Sequence, residues 1–485
     1  MPRQPAYPNR EEFEAVIQLV SQEAKAYLAG LDERPARSQN IQEALNAFDE
    51  GLPEAGTGAV QALTQLIKKG AEAATATAGP RSFHFVIGGT TPAALGADWW
   101  VSTLDQMVYA WVASPLATRL EQISLRWLQD LFGLPQTWQG IMTTGATMAN
   151  FVCLAAARQW AGEQLGVDVA EQGMGALGGL GEIPVYASGI LHPSDVKALS
   201  MLGMGRASVQ PLIANDLGAF DLAALERALK ARKGKPAIII AVAGEPNAGM
   251  FDPIARLADL AAEYGAWLHV DGAFGLFAAL SPENAYLVEG VARAHSVGVD
   301  GHKWLNVPYD CGFAFVHDIR LMGKVFGHSA AYLPEASDPE PVLGALGPEM
   351  SRRARALTVW ATLKAYGRQG IHHMVQQNID LAQYLCSIIS DSPDLELLVE
   401  APLNVVCFRF NPGGMPEERL NQVNRALGDA LLADGRVFVG TTTLQGKVGL
   451  RPAIVNWRTR REDINRFVIA VRQVGERLVR ESHAS

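Results

Sequence analysis

The sequence predicts an α/β fold built on a mostly parallel sheet, and three observations predict it. Between about residues 80 and 370, short apolar runs alternate with helical stretches, the pattern of a sheet covered by helices on both faces. PAIIIAVAG (236–244) is too continuously apolar to be anything but a central strand. AWLHVDGAFG (266–275) is a second buried strand, and it runs into a carboxylate, Asp271, where a glycine lets the chain turn. Open α/β sheets bind their ligands just outside such strand ends.

Bulk composition narrows the function. At 485 residues, 48% apolar and 19% charged, the chain has room for a large core and two or three structural units. A net charge of −9 gives no basic footprint for nucleic acid or an anionic membrane. No apolar run approaches a membrane span, and the N-terminus lacks the apolar core of a signal peptide. Cys153, Cys311, Cys386 and Cys407 lie in apolar stretches without pairing spacing. They read as reduced thiols of a cytoplasmic protein, not as a disulfide frame or a metal site.

In chain order, residues 1–79 are helical and interrupted. Residues 11–28 place Phe13, Val16, Ile17, Val20, Ala24 and Leu28 on one face, and 41–48 and 59–69 are shorter pieces of the same kind. Without a sheet of its own, this layer must lie on something else, either its own subunit or a partner. Residues 80–370 form the large α/β domain. One helix there starts at Asp221, with Leu222, Leu225 and Leu229 inward. Another is expected to take Asp252 as its cap and Pro253 as its first residue, and to end at Gly265. Residues 371–485 read as a small α+β domain, with strands within 395–410 and at 448–456 and helices at 416–433 and 461–478.

The chemistry gathers in a few segments. GHKW (301–304) sets a lone amine, Lys303, just before the apolar strand CGFAFV, one crossover after Asp271. A carboxylate that can hold a pyridinium nitrogen and a lysine that can form an imine are what a pyridoxal 5′-phosphate (PLP) site most needs. GIMTTGATMANF (140–151) is a strand entering a helix, so the N–H groups of Gly145, Ala146 and Thr147, with the Thr147 hydroxyl, can meet a phosphate. His269 shares a strand face with Asp271 and either approaches a substrate carboxylate or sits in the core. Arg451 either binds a carboxylate or pairs with an acidic side chain.

These segments, with LHPS around His192, AGEPNAGMFDP (243–253) and SRRARALTVW (351–360), occur in the order found in the group II PLP-dependent amino-acid decarboxylases, of the aromatic-amino-acid and glutamate decarboxylase type, and the chain resembles that family from about 80 to 460. The resemblance implies the aminotransferase-like fold type I, with a seven-stranded sheet, and a homodimer with active sites at its interface. It implies a Schiff base at Lys303, a quinonoid intermediate supported by Asp271, and His192 stacked on the cofactor ring. Ala273, Asp300 and His302 fall at cofactor positions, and Asn247 where it can reach the ring hydroxyl. Asp300 replaces a neutral amide or hydroxyl of relatives; an anion there is repelled by a phosphate unless it turns to His302 or a lysine. Tyr332 resembles the loop tyrosine that returns a proton to Cα. His84, Phe85, Tyr109 and Ser351 fall on the substrate wall, whose aromatic character favours an aromatic L-amino acid. The alternatives are an acidic or other non-aromatic substrate, or a lyase or aldehyde synthase on the same scaffold. No metal is expected.

Overall fold

The computed structural model describes residues 8–180, 182–328 and 342–484. Seven strands, β1 Gln139–Thr143, β2 Val185–Ala187, β3 Val209–Pro211, β4 Ile238–Val242, β5 Trp267–Asp271, β6 Ser296–Asp300 and β7 Gly312–Val316, form one sheet. Their order is β1-β7-β6-β5-β4-β2-β3. The run from β3 to β6 is parallel, and β7 is antiparallel to both β6 and β1. Every residue of β4, β5, β6 and β7 is buried, which is why these strands are continuously apolar instead of alternating.

This topology assembles the site. Asp271 ends β5, and Asp300 ends its parallel neighbour β6. The reversal into β7 sets Gly312 opposite both Asp300 and Thr143, the last residue of β1. A methyl group on Gly312 would lie 2.5 Å from the Gly145 backbone, so only glycine lets β7 approach this closely. Lys303 sits in the β6–β7 connection, at the same sheet edge.

A buried ion pair pins β1 from behind. Glu121, on helix Pro115–Phe132, accepts hydrogen bonds from the Met142 N–H at 2.9 Å and from Arg352 Nη1 at 3.1 Å. Arg352 Nη1 also donates to the Met142 carbonyl at 2.8 Å. The side chains are only 3% and 2% exposed, so removing one leaves a desolvated charge. Glu121→Ala is expected to destabilise the chain by about 3–5 kcal/mol. A lowered unfolding midpoint in urea or on heating is the check; an unchanged midpoint would contradict the buried pair.

The second sheet, β8 Leu395–Leu397, β9 Phe408–Phe410, β10 Thr441–Leu444 and β11 Lys447–Leu450, is antiparallel in the order β10-β11-β9-β8. Helices Glu417–Asp434 and Arg461–Ala484 accompany it. The strand expected at 448–456 is shorter than its apolar pattern and pairs with β10. Helix Arg355–Ser390 runs across position 370 and is interrupted at Gly367 (φ 58, ψ −174). Helices Glu12–Ala29 and Ala59–Ala73 bury no side chain, and Phe13, Ile17 and Leu52 are exposed.

Local grammar holds at one helix start and fails at another. Asp221 caps its helix by accepting from the Ala224 N–H at 2.8 Å. Asp252 does not cap helix Ile254–Tyr264: its carboxylate accepts from the Val242 N–H at 2.8 Å and the Ser188 hydroxyl at 3.0 Å, tying the β4 end to its neighbour. Among the described residues no helix is long and apolar enough to cross a membrane, no cluster suits a metal ion, and the four cysteines are unpaired.

Candidate active site

Lys303, Asp271, His192, Gly145, Ala146, Thr147, Ala273, Asp300 and His302 all line one cavity of about 400 Å³ at the carboxyl edge of the large sheet. Asp271 accepts from the Ala273 N–H at 3.1 Å, which orients its carboxylate where β5 ends. Lys303 Nζ lies 3.0 Å from Asp300 Oδ2 and 5.6 Å above the centre of the Phe274 ring. The amine is therefore held by one anion and one aromatic face, inside the same chamber as Asp271.

His192 precedes helix Pro193–Met201 and caps it with its ring: Nδ1 accepts from the Ser194 N–H at 3.2 Å. Burial holds its pKa below the ordinary value, against the opposing charge of Asp271. The neutral ring with Nδ1 as acceptor carries its proton on Nε2. His302 follows the same logic. Its Nδ1 accepts from the Cys311 N–H at 3.3 Å, its Nε2 lies 3.3 Å from Asp300, and burial lowers its pKa.

The turn into helix Ala146–Gln164 presents N–H groups to the cavity. The Ala146 N–H donates to Asp300 Oδ1 at 2.5 Å. The Thr147 N–H and hydroxyl make no hydrogen bond to other described residues. A methyl group on Gly145 would lie 2.9 Å from His302 Cε1, so this glycine preserves the space between cradle and ring. These residues fit PLP: an amine and a carboxylate reach one chamber, a neutral imidazole lines it, and a helix N-terminus with a free hydroxyl flanks it.

Four residues expected at the site lie off the cavity wall. Asn247 turns away, with its Oδ1 accepting from the Thr442 hydroxyl at 3.0 Å, and Pro246 takes its place on the wall. His84 stacks on Phe85 (centroids 3.6 Å apart, 15° between planes), and burial lowers its pKa to about 4. Tyr109 is buried with its hydroxyl 3.1 Å from His328 Nε2, and Ser351 is exposed. Phe85 does reach the cavity. Phe85 and Val86 both have left-handed backbone (φ 57 and 56), strain that packing must hold and that sets the direction of this wall. Tyr332 lies outside the described residues.

His269 is wholly buried between the Ser296 hydroxyl (3.0 Å) and Asn150 Oδ1 (3.2 Å), a core residue beneath the sheet. Arg451 lines the cavity and donates to the Pro246 carbonyl at 3.0 Å, with no carboxylate ion-paired to it among the described residues.

Two residues escaped sequence reasoning. Tyr309 stacks on His302 (centroids 4.1 Å apart, 24°) and lines the cavity, and burial pushes its phenol up to about 12. Asp195, in the first turn after His192, is fully buried beside Asp271, and no donor reaches either of its oxygens. Burial first, then the Asp271 charge, hold its carboxyl well above the usual range. Of the two carboxyls it is the one that burial pushes toward its protonated form, and in the sequence it is only an acidic residue in the first turn of a helix, with Lys197 two residues on.

The sign of its effect on stability follows. The unfolded chain loses the Asp195 proton above about pH 4, while the raised pKa lets the folded chain keep it to higher pH. The folded state then binds more protons, and stability falls as pH rises toward the folded pKa. Asp195→Asn removes that loss, so it should raise the unfolding midpoint of the cofactor-free protein more at pH 8 than at pH 4.5. Equal effects at the two pH values would contradict the buried acid.

Comparisons with known proteins agree with this geometry. A family model described as "Pyridoxal-dependent decarboxylase conserved domain" matches residues 45–411. The aromatic-L-amino-acid decarboxylase of Bacillus atrophaeus is 29% identical over 438 residues, covering 89% of this chain and 88% of the relative. The L-2,4-diaminobutyrate decarboxylase of Rhizobium meliloti (strain 1021) is 29% identical over 444 residues, covering 89% and 85%. The crystal structure of Oryza sativa TDC with PLP and tryptamine has the same fold, with a TM-score of 0.87 at 23% identity over 99% of both chains.

Proposed function

Because the chain belongs to the pyridoxal-dependent decarboxylase family, a group of lyases with pyridoxal 5′-phosphate as cofactor, we propose that it converts an aromatic L-amino acid to the amine and CO2. The observation that carries this reading is the opening of Lys303 and Asp271 onto one chamber with His192. Phe85, Phe274 and Tyr309 on its wall support an aromatic side chain over an acidic one.

When bound, the cofactor supplies a conjugated ring that takes up the electron pair of the breaking bond. The chain's own residues do the rest. Lys303 would hold the cofactor through its amine, the one lysine amine on the cavity wall among the described residues. Asp271 would keep a proton on the ring nitrogen, with the buried Asp195 behind it. His192, on the cavity wall with Asp271 and Lys303, would pack against the cofactor and help keep water out. Thr147 and the N–H groups around it hold the phosphate. Tyr332 donates the proton that replaces CO2 at Cα.

The exposed apolar side chains of the N-terminal helices support a homodimer, with those helices packed across the twofold axis and the sites at the interface. Residues 80–370 then act as the cofactor domain and 371–485 as the small domain. The reduced cysteines support a cytoplasmic location.

The test is product analysis. The PLP-loaded protein is incubated separately with each of the twenty amino acids and with 2,4-diaminobutyrate, and CO2, amine, aldehyde and ammonia are measured. Amine and CO2 from tryptophan, tyrosine or phenylalanine are expected, and Tyr332→Phe should retain cofactor absorbance while amine output falls. Turnover confined to acidic or diamino substrates would overturn the aromatic assignment. Aldehyde and ammonia from the wild type would point to an aldehyde synthase.

A further inference from the structure

Asp300 stands where an anion is least expected. Its carboxylate is 3% exposed and gathers three donors: the Ala146 N–H at 2.5 Å, Lys303 Nζ at 3.0 Å and His302 Nε2 at 3.3 Å. The first of these belongs to the helix N-terminus that flanks the free Thr147 N–H and hydroxyl. One carboxylate thus shares the corner of the chamber best suited to a phosphate. A phosphate monoester above about pH 6 is a dianion, and a carboxylate in contact with it is strongly disfavoured while both stay fully ionised.

We propose that Asp300 engages the cofactor's phosphate through one shared proton, so that cofactor binding takes up a proton from solvent and weakens as pH rises. This rests on the reading of the chamber as the PLP site. In the bound state the carboxyl O–H donates to a phosphate oxygen, an acid–anion pair in place of two repelling anions. The proton comes from water and returns to it when the cofactor leaves; no bond to carbon changes. Asp300 is thereby a determinant of cofactor affinity in this chain.

The other groups facing Asp300 leave the proton few alternative seats. Burial lowers the pKa of His302 and of His192, against the neighbouring carboxylates. Tyr309 is pushed up to about 12, and burial raises Cys311 further. Lys303 remains, and it is separated experimentally by pyridoxal, which offers the same aldehyde to the same amine without the phosphate.

The experiment titrates the cofactor-free full chain with PLP and with pyridoxal between pH 6.5 and 8.5, following the absorbance of the attached cofactor. In the wild type, the ratio of PLP to pyridoxal affinity should fall by up to about tenfold per pH unit, the limit for one linked proton. Calorimetry at pH 7.5 in buffers of different ionisation enthalpy should count about one more proton taken up with PLP than with pyridoxal. Asp300→Asn should remove that extra proton, flatten the ratio and tighten PLP at pH 7.5 by tenfold or more. A flat ratio and equal proton counts in the wild type would overturn the inference without needing the variant, as would weaker PLP binding by a folded Asp300→Asn protein. Failure of both aldehydes to attach to Lys303 would instead overturn the reading of the chamber itself.

Discussion

Lys303→Ala is expected to abolish decarboxylation, with kcat falling by about 10^4-fold or more, the scale on which loss of a covalent catalytic group acts. The structure explains why no neighbour can replace it. The amine enters the chamber from the β6–β7 connection, fixed by Asp300 and by the Phe274 face, and among the described residues no other lysine lines the cavity. Lys303→Arg should be equally inactive: it keeps the charge beside Asp300 but cannot lose a proton to become a nucleophile. Both variants should still bind PLP through the phosphate cradle, with an absorbance spectrum close to that of the free aldehyde. Amine release within tenfold of wild type from either would remove Lys303 from the mechanism.

Asp271→Ala is expected to lower kcat by about 10^3-fold while leaving the cofactor attached to Lys303. Loss of a single preorganised electrostatic group in an active site costs on this order. Without the carboxylate the ring nitrogen has no anion to hold its proton, and the ring accepts the electron pair poorly. A cofactor methylated at that nitrogen carries a permanent positive charge and should restore part of the lost turnover in Asp271→Ala. A merely structural role for Asp271 predicts no such rescue. A fall of less than tenfold, measured by amine formation at saturating substrate, would contradict the electrostatic role.

The two residues at the heart of these predictions were legible because strand ends are legible. A continuously apolar run fixes a buried strand, and a carboxylate at its last position has to face the sheet's carboxyl edge. Lys303 was legible for the complementary reason, a lone amine next to buried apolar chain. Asp300 was readable in part, since an anion near a phosphate had to turn to His302 or a lysine, and it turns to both. Side-chain direction within loops was not legible. His84, Phe85 and Val86 lie together, yet left-handed backbone at Phe85 and Val86 swings Phe85 onto the cavity and leaves His84 packed against it. Asn247 turns to Thr442 on the distant hairpin β10–β11, which no local pattern announces.

Asp252 shows the same limit in a helix start. An Asp-Pro pair before an apolar helical run carries the local signal of a cap, but donors brought from β4 and Ser188 by the tertiary fold take the carboxylate instead. β10 escaped because its hairpin rests on Gln445 and Gly446, both at positive φ (48 and 79), between two four-residue strands. Asp195 was hidden because its partner is another acid, and sequence reading looks for opposite charges.

The central claim is that the cofactor is carried by Lys303, in the chamber it shares with Asp271. Borohydride reduction of the PLP-loaded wild-type protein, followed by protease digestion and mass spectrometry of the peptides, tests it most directly. One reduced pyridoxyl phosphate adduct per chain is expected, on the peptide containing Lys303. An adduct on any other lysine, with Lys303 unmodified, would contradict it.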